Sequence, residues 1–122
     1  MGQASYPAKS TQEINMTLFS ATDGTIQKIV STPGKLSIDF IDWQEQRWTI
    51  FFEEAIAFQS IGAEGEEVSE ISTIDTSFIN LIDPKELNES SKSYSFISAW
   101  SSNPVLIVIA SNFNAVQSDK NS

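Results

Sequence analysis

The only side chains here that could run acid–base or metal chemistry are carboxylates. Sixteen Asp and Glu stand against seven Lys and Arg, with no histidine and no cysteine, for a net charge of -9 over 122 residues. Without His or Cys the chain lacks the commonest general base, the thiol nucleophile and the two main transition-metal ligands. A single arginine, Arg47, leaves no guanidinium cluster to grip phosphate.

The carboxylate pairs do not converge easily. Asp39 and Asp42 are three apart, which on a regular strand places them on opposite faces, and adjacent Glu53 and Glu54 are separated in the same way. Both pairs read as solvated strand-edge acids. Asp23-Gly24 lacks the preceding alternate acids of a calcium loop. No Ser-x-x-Lys, no Gly-x-Ser-x-Gly and no phosphate-cradling glycine loop is present. A carboxylate-dependent hydrolase or metal binder, resting on Glu66 and Glu67, is the weakest of three functional readings. No catalytic residue, metal ligand or cofactor is assigned.

The elements that must position these acids are strands. At 40% apolar and 11% aromatic, the chain is too rich in core formers for a disordered acidic protein. Leu36, Ile38 and Phe40 alternate with Ser37 and Asp39; Trp48, Ile50 and Phe52 alternate with Thr49 and Glu53. That predicts a hairpin with one buried face, joined through Gln44–Arg47. Thr22-Asp23-Gly24 and Thr32-Pro33-Gly34-Lys35 are turns, and the spacing of Ile26, Ile29 and Val30 leaves room for a bulge. Ile14, Met16 and Leu18 also alternate, and 55–60 continue or bend away from the second hairpin strand. A glycine-bearing loop spans 61–67. Residues 67–82 favour strand over helix, Phe78, Ile79, Leu81 and Ile82 form an apolar knot, and a short helix near 83–89 is capped by Asp83 with Pro84 first. Tyr94, Phe96, Ser98 and Trp100 share one face. Val105–Ala110, apolar throughout, predicts a central strand covered on both sides.

The fold class expected is mainly β: one antiparallel, strongly curved sheet of six to eight strands, or a two-layer sandwich or barrel-like domain, with one short helix. An α+β roll is the alternative if 67–82 are helical. Residues 1–122 form a single domain with loose ends at about 1–11 and 117–122. No segment spans a bilayer and the start has no secretory pattern, so the expected location is the cytoplasm.

Between Glu64 and Glu89 eight acids face one base, Lys85. Such a stretch repels nucleic acid and anionic lipid and attracts basic proteins; otherwise it is a solubilising face. The tryptophans read as core or core edge, except that the parity burying Phe40 turns Trp43 outward beside Asp42 and Arg47, the composition of an interface anchor. The candidate partner contacts are therefore Trp43, Asp42, Arg47, Glu64, Glu66, Glu67 and Glu70.

Taken in order, Leu18-Phe19-Ser20-Ala21-Thr22-Asp23-Gly24-Thr25-Ile26-Gln27-Lys28-Ile29, Leu36–Trp43, Thr49–Glu53 and Val105–Ile109 resemble small uncharacterised bacterial domains, some of them immunity proteins of polymorphic toxin systems. The likeness spans roughly 18–116 and lies in hydrophobic pattern more than motif. Where that opening often carries a His before the Asp, this chain has Ser20, Ala21 and Thr22, so no catalytic residue carries over. The resemblance implies partner binding. The leading expectation is a non-enzymatic domain that neutralises or docks a basic protein; the second is a structural β module completed by a copy of itself.

Overall fold

Side chains that alternate in the sequence alternate in burial. In the computed structural model, which describes residues 19–118, Leu36, Ile38 and Phe40 are buried opposite Phe52, Ile50 and Trp48, while Ser37, Asp39, Thr49 and Phe51 face the other way. Eight strands result: β1 (Gly24–Thr32), β2 (Lys35–Ile41), β3 (Arg47–Glu53), β4 (Ala57–Ser60), β5 (Glu67–Ser72), β6 (Lys92–Ser98), β7 (Pro104–Ala110) and β8 (Asn112–Gln117). They form one sheet in the order β4-β7-β6-β5-β1-β2-β3-β8, with every neighbouring pair antiparallel.

The turns follow local chemistry. Thr32 pairs with Lys35 across Pro33-Gly34, where Gly34 has φ 76°, the positive value a type II turn requires after its proline. The expected bulge in β1 falls between Ile26 and Lys28. Arg47 belongs to β3, opposite Ile41, rather than to the connecting turn.

β4 follows β3 after residues 54–56, and β8 follows β7 after Ser111 alone. At this break Glu54 takes φ 52°, the Ser111 amide donates to the Glu53 carbonyl at 3.0 Å, and Ile56 N donates to Ile109 O at 2.8 Å. The runs 47–60 and 104–117 thus stay side by side through a corner, although β4 and β8, the two ends of the strand order, do not pair with each other.

One hydrophobic cluster draws on β1, β2, β3, β5, β6, β7 and β8. Phe52 of β3 lies 5.4 Å from Tyr94 and 6.2 Å from Phe96, both on β6, and 5.6 Å from Phe113 on β8. Phe19 packs edge-on against Phe40 and Trp48 at 5.7 and 5.2 Å. Such pairs add about 0.5–1.5 kcal/mol each beyond area burial. β7 is buried on both faces as expected, but it stands second from the β4 end rather than at the centre. Its Ile109 and Ile107 pair with Ser93 and Ser95, whose buried hydroxyls find no hydrogen-bond partner among the described residues.

Several expectations are corrected. Residues 67–72 are strand, so the α+β roll is not formed. The helix expected at 83–89 is a single 3-10 turn, Pro84–Glu86, capped by Asp83; Leu87 then leaves the helical region at ψ 154°. A second such turn covers Ile79–Leu81, and the apolar knot around it is not a core, since Leu81 is 79% exposed. At the end of β8 Gln117 pairs with Trp48, and Ser118 N donates to Arg47 O at 2.8 Å. The arm at 1–11, the strand at 14–18 and residues 119–122 lie outside the described residues. No helix among the described residues is long and apolar enough to cross a membrane.

Candidate functional site

The β2–β3 turn separates two neighbours completely. Asp42 points inward, 8% exposed, and its carboxylate accepts from Gln44 N, Gln46 N and Trp48 Nε1, each at 2.9 Å. Three donors converge on it and make it the scaffold of the turn; it still lines the depression beside Trp43 but leaves little carboxylate surface for a partner. Trp43, by contrast, is 62% exposed. It shares this open depression with Asp23, Thr25, Ile41, Asp42, Glu45 and Arg47.

The acids Glu64, Glu66 and Glu67 come from the segment that carries the chain from β4 into β5. Gly62 and Gly65 take φ 64° and 91°, which lets the loop turn Ala63 fully into the core. Gly65 N donates to Ile26 O at 2.7 Å and Ile26 N to Glu66 O at 3.0 Å, binding the loop to β1. Glu64 Oε2 accepts Ile29 N at 3.0 Å. Ala99 N donates to Glu67 O at 2.8 Å, and Ser98 Oγ donates to Glu66 Oε2 at 2.6 Å. The same Ser98 oxygen, 1% exposed as a residue, accepts Trp100 N at 3.0 Å and Ser101 N at 3.2 Å. Glu66 therefore fixes the β6–β7 turn through one buried hydroxyl.

That turn carries a tryptophan that strand alternation alone misplaces. Trp100 was expected to share the Tyr94 and Phe96 face, but β6 ends at Ser98 and Trp100 stands 79% exposed. The turn signal Ser101-Ser102-Asn103-Pro104 begins only after Trp100, whereas β6 ends two residues before Trp100, so the alternation carries on too far. Of the remaining candidates, Glu70 is exposed on β5 beyond a bulge at Val68/Glu70. Arg47 and Trp43 are not gathered with the glutamates: Thr25 of β1 pairs with Ile41 on one side and Glu67 on the other, so the start of β1 lies between the two groups.

Charge is segregated over the fold. Lys28, Lys35 and Arg47 all lie on β1, β2 and β3. Between Arg47 and Lys85 the chain has no base, and Ser93–Ser118 has none. β4, β5, β7, the 61–66 loop and the β6–β7 turn therefore carry no positive side chain. Further along, Asp75 accepts Ser77 N at 2.9 Å and Ser77 Oγ at 2.7 Å, and these bonds hold its carboxyl below the usual aspartate range. Among the described residues no group of three or more acids could hold a metal ion.

Compared with known proteins, the chain matches no family model, no curated protein and no solved structure.

Proposed function

We propose that this is a small non-enzymatic domain that binds a basic protein partner, with the neutralising role of an immunity-type protein as its most specific form. The observation that carries this reading is the absence of any base from the loop and turn surrounding Glu64, Glu66 and Glu67, beside an exposed tryptophan. A carboxylate surface without interspersed lysines keeps its field instead of cancelling it, and such a field steers a basic protein into contact. The absence of His and Cys supports a role without covalent chemistry. Phe52 meets Phe96 at 6.2 Å although their strands are four places apart in the sheet order, a separation of about 19 Å in a flat sheet. This supports a strongly curved, barrel-like sheet, whose loops would present the acids rigidly.

The test is capture of partners from a lysate at low and high salt, followed by association kinetics with any purified partner. A basic, stoichiometric partner released by salt, with an on-rate that falls as salt rises, is the expected result. Self-association alone, or a salt-independent on-rate, would overturn it.

A further inference from the structure

We infer that the face formed by Ile61–Glu67 and the Ser98–Asn103 turn is the docking site, and that Trp100 is its anchor for a basic protein segment bearing an apolar side chain. This rests on the binding reading above and gives it a place and a chemistry.

Three observations point to this face. First, Ile61 and Trp100 expose 55% and 79% of their surfaces on segments tied to one framework. Ile61 N donates to Val105 O at 2.8 Å, at the start of β7, and Ala99 N donates to Glu67 O at 2.8 Å. Second, Trp100 is exposed but not loosely held. Its amide and that of Ser101 both end on Ser98 Oγ, which in turn donates to Glu66, and Ser98 N donates to Asn103 O at 2.8 Å. A large rigid ring presented on a fixed turn costs little entropy to bind, which is why tryptophan dominates interface energetics. Third, every charged side chain on these two segments is a glutamate: Glu64, Glu66 and Glu67. Exposed apolar side chains on segments whose only charges are carboxylates select an occupant of the opposite build, an aliphatic or aromatic side chain flanked by Lys or Arg. Nucleic acid and anionic lipid are excluded by the same charges.

A displayed random-peptide library selected on the wild-type protein tests this, with each enriched peptide then synthesised and titrated against Trp100→Ala, Ser98→Ala and Leu81→Ala. Leu81 is equally exposed, at 79%, but stands elsewhere, in the Ile79–Leu81 turn. The expected result is enrichment of peptides combining Lys or Arg with a large apolar residue, a loss of about tenfold or more in affinity for Trp100→Ala, and no change for Leu81→Ala. Ser98→Ala, which frees the turn but keeps the ring, loses part of the affinity; circular dichroism confirms that each variant is folded. Basic peptides that bind Trp100→Ala as well as wild type overturn the anchor and leave the basic-partner reading standing. Enrichment of neutral or acidic peptides, or of none, overturns both.

Discussion

Asp42 and Trp43 are adjacent, and their substitutions are expected to fall on different observables. Asp42→Ala leaves two part-buried amides and the buried Trp48 indole without their acceptor. Unpaired donors of this kind cost about 1–3 kcal/mol each before relaxation, so a net loss of about 3 kcal/mol is expected in urea unfolding. Trp43→Ala, at 62% exposure, is expected to change stability by less than about 0.5 kcal/mol. A comparable loss in both variants would show that Trp43 belongs to the core. Ser95 offers the converse case. Its hydroxyl is buried beside Ile107 with no partner among the described residues, so Ser95→Ala removes a desolvation penalty and is expected to stabilise the protein by about 1 kcal/mol. The sequence foretold the outward Trp43 because strand parity reaches it from Phe40. The same parity turns Asp42 inward; what it does not show is the Trp48 indole donor from the neighbouring strand that satisfies the buried carboxylate there.

At the scale of elements, what was legible depended on how local the cause was. The β2–β3 hairpin, the Pro33-Gly34 turn and the β1 bulge were readable because each is set by residues within a few positions. The corner at Glu54 and Ser111 was not, since it depends on two runs distant in sequence bending together. The alternation misplaces Trp100 because β6 ends at Ser98, which still pairs with Val68 while its hydroxyl binds Glu66 and the Trp100 and Ser101 amides. The start of β1 is a further element-level constraint: a Cβ on Gly24 would meet the buried Phe40 ring and lie 2.8 Å from the Ile41 carbonyl oxygen. Gly24→Ala is therefore expected to cost about 1–3 kcal/mol, by overpacking rather than by backbone strain. A variant of unchanged melting temperature would mean that β1 and β2 separate there without penalty. In the 73–91 connection, the Ser77 bonds lower the Asp75 pKa below 3.8. A depressed folded-state pKa contributes favourably above the unfolded value and is lost as pH falls through the folded one. NMR titration should accordingly place the Asp75 midpoint below 3.8 and return it towards 3.8 in Ser77→Ala.

At the scale of the whole molecule, a net charge of -9 acts on folding and on binding with opposite sign. Within one chain the acids between Glu53 and Asp83 meet no base in sequence, so they repel one another in the compact state. Across an interface the same field attracts a basic partner. Raising salt from 0.01 to 1 M shortens the Debye length from about 30 Å to about 3 Å and weakens both effects together. Sodium chloride is thus expected to raise the melting temperature of the free protein, by about 5 °C if screening returns about 1 kcal/mol. Over the same range it should lower affinity for any basic peptide selected on the Trp100 face. Chloride is the right salt because sulfate would also strengthen apolar burial and raise the melting temperature for an unrelated reason. Opposite slopes in the two titrations would tie both to one charge distribution. A melting temperature that is flat or falls with sodium chloride would show that the acids are spread too widely to repel, and a surface so dilute could not steer a partner either.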